Sequence, residues 1–415
     1  MMDALAAPDA RGPLAGYRVL ELGSTIAGPF CGRLLADFGA EVIKVEPPEG
    51  DAVRTMGKRY KGKSLYGASI MRNKSLVSLD LRRKEGRDLV RALAAKCDLL
   101  VENFRPGTLE RWGLGYDVLS ADNPGLVMVR ISGYGQSGPY RDRPGYGVIG
   151  EAVSGLRHLT GDPDRPPTRT AVSLTDYFTG LYAAFGASMA LLMRERTGRG
   201  QCIDAALYEC AFSFMEPHVP AFDKLGLVAG RCGSRLADST PNNLYPTRDA
   251  NFIHITAMAD GVFRRLAAAM GQAGLADDAR FSDGIVRSNN VEELDGLIAE
   301  WTGAHPLEAL EAALQKAEVP ATRIYTLADI FADPQFRQRG MLATVPDEEL
   351  GELTLTGIVP RLSETPGQLR HTGGAVGRDT QRVLRDLLDF DAAHIDRLAA
   401  EGVVYLAPRA AAPSN

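Results

Sequence analysis

The chain has 415 residues, 45% of them apolar and 24% charged, with a formal net charge of −5. That length exceeds what one compact core usually holds, so two domains of unequal size are expected, and the composition is that of an ordinary globular protein. An acidic balance without any long Lys/Arg block speaks against nucleic acid as a partner, and no apolar run approaches the roughly 20 residues of a membrane span.

The five cysteines (Cys31, Cys97, Cys202, Cys210 and Cys232) are odd in number, scattered and never in a C-x-x-C pair. Neither a disulfide framework nor a zinc site is signalled, and reduced thiols are expected. The stretch from Met1 to Pro13 carries Asp3 and no continuous apolar core, so it fails the test for a secretory signal. The expected location is the cytoplasm.

In chain order, Tyr17 to Gly23 predicts a strand, Pro29 to Phe38 a helix and Glu41 to Glu46 a second strand, a unit of the length of a right-handed crossover. The junction Gly23-Ser24-Thr25-Ile26-Ala27-Gly28-Pro29 lacks the G-x-G-x-x-G spacing, and Pro29 removes an amide that a dinucleotide would want, which disfavours a nicotinamide or flavin dinucleotide. Leu76 to Leu81 predicts a strand, Lys84 to Lys96 a helix, and Leu99 to Asn103 and Leu126 to Ile131 two more strands. This alternation predicts a largely parallel sheet covered on both faces, with ligands at the loops beyond the carboxyl ends of its strands. Those loops are residues 24–28, 47–54, 103–107 and 132–138.

In the third loop, Asn103-Phe104-Arg105-Pro106-Gly107 sets an amide, a flat ring and a cation side by side, which suits a purine flanked by phosphates. A Pro-Gly turn with a solvated arginine explains it equally well. The fourth loop, Ser132 to Gly138, either lets backbone approach a ligand or is a flexible connection.

From Gly161 a Pro/Gly/Asp-rich loop leads to Asp176, at the mouth of an apolar helix marked by Leu181, Ala184, Ala187, Ala190 and Leu191 and closed at Thr197-Gly198. Asp176 on this stretch alone reads as an N-cap, worth about 1 kcal/mol, or as a carboxylate nucleophile whose intermediates gain from the same amides and helix dipole. Gly200 to Ala205 is strand-like and Tyr208 to Leu225 helical. Composition shifts at Gly226-Leu227-Val228-Ala229-Gly230, the expected entry to a second domain. There Phe252 to Ala257 predicts a strand, and Gly261 to Met270, Val291 to Thr302 and Pro306 to Lys316 predict helices. Leu327 to Arg339 and the strand-like Leu353 to Ile358 form the return, and Arg378 to Leu388 and Ala392 to Ala400 a closing pair of amphipathic helices. The expected division is 1–225 and 336–415 in a large domain and 226–335 in a small one.

No G-x-S-x-G elbow, phosphate-binding G-x-x-x-x-G-K-[ST] loop or H-E-x-x-H pair is present, and the six histidines are far apart. Serine hydrolysis, phosphoryl transfer and zinc hydrolysis are disfavoured, which leaves a carboxylate as the best candidate for reaction chemistry.

Taken together, the ordered blocks form a pattern. Gly12-Pro13-Leu14, Val19-Leu20-Glu21, Gly28-Pro29, Gly39 to Glu46, Asn73-Lys74-Ser75, Glu102 to Gly107, Gly133-Tyr134-Gly135-Gln136 with Gly138-Pro139, Thr175-Asp176 with Gly180, and Thr197-Gly198-x-Gly200-Gln201 resemble the class III coenzyme A transferases, the formyl-CoA and carnitine CoA-transferase (CaiB/BaiF) family. The resemblance implies a Rossmann-like large domain built from both chain ends, a smaller α+β middle domain and an interlocked homodimer. It also implies that Asp176 takes the acyl group, and that coenzyme A, a substrate and not a resident cofactor, is held by Ile26, Ala27, Leu79, Asp80, Leu81, Arg82, Asn103, Phe104, Arg105, Arg111, Gly145, Tyr146 and Gly147. No metal is implied.

The chain departs from the formyl-CoA branch, which carries glutamine at Ile26, arginine at Pro47 and an acidic residue at Gly147. The segment Pro144-Gly145-Tyr146-Gly147, with Glu151-Ala152 and Ser154-Gly155, looks closer to branches acting on dicarboxylic acids such as succinate, glutarate, mesaconate or citramalate. Acyl-CoA and a small carboxylic acid are the expected partners. The rivals are a 2-methylacyl-CoA racemase, whose histidine position holds Tyr146, a poorer base near neutral pH, and a non-catalytic CoA-binding subunit, disfavoured because Asp176 is retained.

Overall fold

A computed structural model describes residues 12–408. They divide into two compact units: one takes the chain up to Leu156, Thr170–Pro220 and everything from Phe336 on, the other Arg157–Arg169 and Ala221–Gln335.

The larger unit is organised on one sheet. Its strands begin with β1 (Arg18–Glu21) and β2 (Glu41–Glu46); after a two-residue hairpin of β3 (Arg59–Tyr60) and β4 (Lys63–Ser64) come β5 (Lys74–Leu79), β6 (Leu99–Glu102), β7 (Val127–Ser132) and β8 (Cys202–Ala206). The order β5-β2-β1-β6-β7-β8 is parallel throughout, with Val19 opposite Val42 and Leu99. Helix α1 (Ala27–Asp37) joins β1 to β2. Further helices in order are α2 (Leu65–Ile70), α3 (Lys84–Ala94), α4 (Thr108–Arg111), α5 (Tyr116–Asp122), α6 (Gly147–Val153) and α7 (Leu174–Thr197).

Strand periodicity of two sorts the core. Leu20, Ile43, Val45, Val77, Leu100 and Met128 face Leu89, Val90 and Leu93 of α3 together with Val383, Leu384, Ile395 and Leu398 of the closing helices Thr380–Leu388 and Ala392–Ala400. Val19, Val42, Leu99, Val101, Val127 and Val129 point the other way, onto Cys31 and Leu35 of α1 and Ala183, Ala187 and Leu191 of α7. Burial on both faces is why these strands read as continuous Val/Ile/Leu runs.

In the smaller unit β9 (Asn242–Pro246), β10 (Phe252–Thr256) and β11 (Ala321–Arg323) form an antiparallel sheet with β10 central. Tyr245, Ile253 and Ile255 pack on Phe263, Leu266, Ile298 and Leu310 of the helices beside it. Back in the larger unit, β12 (Leu342–Asp347) and β13 (Gly351–Thr356) make a hairpin, and β14 (Val404–Tyr405) closes the large sheet antiparallel to β5.

One expected helix is broken. Tyr208 to Leu225 is a helix at Leu207–Phe212, a tight turn at Ser213–Met215 and a second helix at His218–Leu225, because Pro217 has no amide to give and its ring crowds the preceding turn. The return segment Leu327 to Arg339 forms two short helices, Leu327–Ala332 and Pro334–Gln338, which meet at Pro334. Among the described residues no helix is long and apolar enough to cross a membrane.

Candidate functional site

At the carboxyl ends of β1, β2 and β5 lies a cleft of about 240 Å³, lined by Leu22 to Ser24, Lys44 to Pro47, Asp51, Leu79 to Arg82, Phe104 and Trp112. Parallel strands end together here, and the loops that leave them part on opposite sides, which opens a crevice above the sheet. Phe104 meets Trp112 edge-on with ring centroids 5.3 Å apart, giving the cleft an aromatic wall. At the lip, the exposed Arg82 is shared between Asp80 (2.7 Å) and Glu49 (2.9 Å).

The floor is a buried charge cluster. Lys44 Nζ lies 2.8 Å from Asp51 and 3.4 Å from Glu21, and Lys74 Nζ lies 2.8 Å from Glu21. All four side chains are at most 1% exposed. Burial by itself raises the Asp51 carboxyl, but the Lys44 ammonium and the amides of Val53 and Thr25 outweigh it and hold Asp51 at about 2. The Lys44 ammonium, opposed by burial but surrounded by Asp51 and Glu21, is held above its usual range. Lys44 also donates to the Gly23 carbonyl. An unpaired charge at such depth would cost several kcal/mol, so the cluster exists only as a set.

Asp176 sits in the first turn of α7. The N-cap is Ser173, whose side chain makes no capping bond, and Asp176 is the third helical residue. The capping reading of Asp176 is therefore corrected: Leu174 and Thr175 already have helical geometry, and Asp176 faces the helix dipole from within the turn. Its carboxylate lies on the bare Cα of Gly147, the first residue of α6, where a built β-carbon would stand 2.7 Å from Cγ and closer still to Oδ2. One turn on, Gly180 admits the start of α1, a built β-carbon falling 2.8 Å from both the Ala27 carbonyl oxygen and the Phe30 ring. Phe30 meets Tyr177 edge-on at 4.7 Å, and the Tyr177 hydroxyl pairs with that of Tyr66 at 2.8 Å. The chain that walls the cleft at Ser24 thus runs straight into the helix end that abuts the first turns of α7.

Two guanidinium groups converge beside Gly107, whose left-handed φ of 82° starts α4. A β-carbon there would stand 3.2 Å from Arg111 Nη1 and 3.7 Å from Arg141 Nη2. Arg111 ends α4 and Arg141 lies on the loop after β7, and two cations near one point attract a polyanion.

The chain matches CoA-transferase family III over residues 14–380. It belongs to that family. The succinyl-CoA–D-citramalate CoA-transferase of Chloroflexus aurantiacus is 48% identical over 394 residues, covering 94% of this chain and 98% of that one. The succinyl-CoA–L-malate CoA-transferase beta subunit of the same organism is 42% identical over 398 residues, covering 94% and 98%. Among solved structures, a CAIB/BAIF family protein from Brucella suis superposes with a TM-score of 0.80 at 36% identity, covering 91% of this chain and all of that one.

In this CoA-transferase the residues named from the resemblance fall into distinct places. Leu79, Asp80, Leu81, Arg82 and Phe104 line the cleft. Ile26 and Ala27 are buried at the start of α1, only 4% and 3% exposed, so that their backbone is what they can offer a ligand. Arg105 is exposed on the loop after β6 and Arg111 at the end of α4, whereas Gly145 packs on Gly133, Gly147 stands against Asp176, and Tyr146 precedes α6 with its side chain exposed. The side chain of Asn103 is turned onto the backbone of Ser24. Lys44, Asp51 and Trp112 were not among the site residues read from the sequence; the signal available was a lysine between Ile43 and Val45 in the middle of a strand, which needs a buried partner.

Of the arginines near the expected site loops, Arg54 is bidentate on Glu46 at 2.6 and 2.7 Å, Arg231 donates to the carbonyls of Asp162 and Pro163, and Arg235 binds Asp295 and Glu292. Three of the six histidines take structural partners as well: His254 bonds Asn242, His305 the Trp301 carbonyl and His371 the Thr372 carbonyl. Among the described residues no group of His, Cys, Asp and Glu is arranged to hold a metal.

Proposed function

We propose that this enzyme moves CoA from succinyl-CoA or a similar donor to a dicarboxylic acid, with Asp176 as the covalent carrier. The observation that carries this reading is the seat of Asp176: a carboxylate in the first turn of a long helix, against a glycine, beside the chain that leads out of the cleft. The names of the citramalate and malate relatives support the choice of substrates.

The chemistry balances in four transfers. The Asp176 carboxylate adds to the thioester carbonyl and expels CoA thiolate, leaving an acyl-aspartyl anhydride. The thiolate attacks the aspartyl carbonyl of that anhydride, giving an aspartyl-CoA thioester and releasing the donor acid as its carboxylate. The acceptor carboxylate then attacks the thioester, forming a second anhydride and thiolate. Attack of the thiolate on the acceptor carbonyl yields the new acyl-CoA and frees Asp176. An anhydride retains the activation of the thioester, which a serine ester would dissipate, and the negative charge that develops at residue 176 is favoured by the α7 N-terminus. The coenzyme's aromatic and phosphate parts would meet Phe104 and Trp112, Arg82, and the Arg111/Arg141 pair.

A homodimer is part of the same reading. Leu181, Phe185, Met189 and Leu192 recur at helical spacing on α7 and are 57%, 61%, 44% and 57% exposed, a stripe that a second copy would bury. The mechanism is tested by incubating the enzyme with succinyl-CoA and weighing its peptides. The peptide spanning residue 176 should gain the mass of CoA or be trapped as a hydroxamate by hydroxylamine; an unmodified peptide during turnover sinks the proposal, and α-proton exchange without transfer would indicate a racemase.

A further inference from the structure

At Ser24 the chain leaves the sheet, and one side chain takes both of that residue's main-chain polar groups. The last main-chain bond between β1 and β6 joins Leu22 N to Val101 O at 2.8 Å. One step further along, Asn103 uses its amide as a strand would use its backbone: Oδ1 accepts from Ser24 N at 2.7 Å and Nδ2 donates to Ser24 O at 2.8 Å. The groups on either side are also held by side chains, the Gly23 carbonyl by Lys44 and the Thr25 amide by Asp51 at 3.0 Å. Thr25 has a left-handed φ of 70°, rare for a β-branched residue and kept only where its surroundings fix it.

Asn103 packs closely on the chain it holds. A β-carbon at Gly23 or at Gly28 would stand 3.3 Å from its amide group, so the amide lies against two glycines. An asparagine amide has two N–H groups and one oxygen, and here the oxygen already accepts one bond and one N–H is already donated within the fold.

We propose that Asn103 is a positioning residue for the cleft, holding Gly23–Thr25 bent so that the cleft wall and the start of α1 are preformed, in place of the direct contact with the coenzyme that the family resemblance implies. This rests on reading the cleft as the coenzyme site. Removing the amide leaves Ser24 N–H and C=O without their partner, and the loop exchanges its bent form for others. Coenzyme binding then carries the added cost of ordering the loop.

The test uses full-length enzyme carrying Asn103→Ala or Asn103→Asp. Hydrogen exchange is followed without ligand in peptides covering residues 22–28, with peptides covering 242–256 as the control. Asn103→Ala should speed exchange at Ser24 and Thr25 by about tenfold, the value of one to two buried hydrogen bonds, leave the control unchanged, and raise KM for succinyl-CoA by a similar factor. Asn103→Asp keeps the acceptor for Ser24 N–H but sets a carboxylate against the Ser24 carbonyl; protonation restores a donor. The ratio of its KM to that of the wild type should therefore fall as the pH is lowered from about 6 toward about 4, through the ordinary range of an aspartate. Unchanged exchange at 22–28 alongside a raised KM would make Asn103 a direct ligand and overturn the proposal, as would exchange raised equally in the control. Because exchange is read on the free protein, it stands independently of whether the residue 176 peptide ever carries CoA.

Discussion

The carboxylate of Asp176 rests on the α-carbon of Gly147, with no room between them for a methyl group. Gly147 has an ordinary backbone conformation at the start of α6, so its value is space and not φ. Gly147→Ala should therefore leave the fold intact, because the clashing atoms are the free end of a side chain that can swing aside. The displaced carboxylate should lose transfer activity by about a hundredfold, the usual effect of moving a reacting group by an ångström. Steady-state rates beside thermal unfolding of the same preparation check the split.

Asp176 contributes to α7 through the helix dipole and not as its cap. Asp176→Asn should abolish transfer yet cost only about 0.3 to 1 kcal/mol of stability, a shift of the thermal midpoint of no more than about 3 °C. Wild-type turnover in this variant would remove Asp176 from the mechanism.

The buried Asp51 carboxyl titrates at about 2 in the folded enzyme, below its ordinary range, because Lys44 and two backbone amides outweigh the effect of burial. A depressed folded pKa contributes stability that is present above about pH 4 and is lost as pH falls from there toward about 2. The size is about 2 kcal/mol. Asp51→Asn lacks this contribution. The stability gap between wild type and variant, from urea unfolding, should be widest near neutrality and close as the pH approaches 2. A gap independent of pH would contradict the assignment.

At the cleft lip, Glu49 competes for the Arg82 guanidinium that a phosphate would use. Glu49→Gln should lower KM for acyl-CoA by about twofold to threefold at low salt and by less at high salt, since exposed ion pairs are weak and screened. Arg141→Ala should raise it, through loss of one of the two cations beside Gly107. A salt titration of KM for both variants separates these outcomes.

The apolar stripe on α7 predicts the assembly. Phe185→Glu places a charge where a side chain 61% exposed in the single chain would be covered by a second copy. Sedimentation should show a dimer for the wild type and a shift toward monomer for the variant.

The strands from Val19 to Ile131 and the crossover through α1 were legible because a parallel strand buried on both faces is written as a run of Val, Ile and Leu, a local signal. Asp176 was legible too, as an acidic residue opening a long apolar helix, and so were three of the strand-end loops where the cleft opens, those holding Ser24, Pro47 and Phe104, but not the end of β5 at Leu79 to Arg82. What stayed hidden depends on residues far apart in the chain. Asn103 reads as a ligand in its pentapeptide, and only the meeting of the ends of β1 and β6 turns its amide onto Ser24, 79 positions away. Lys44 and Lys74 reach Glu21 and Asp51 because parallel pairing stacks β1, β2 and β5 in register. The seat of Asp176 on Gly147 joins two helix starts that no periodicity relates. Hydrophobic period and turn chemistry act over a few residues and are carried by the sequence itself. The pairing of buried polar groups is settled only when distant segments pack, and it is there that the tertiary structure decides the shape of the site.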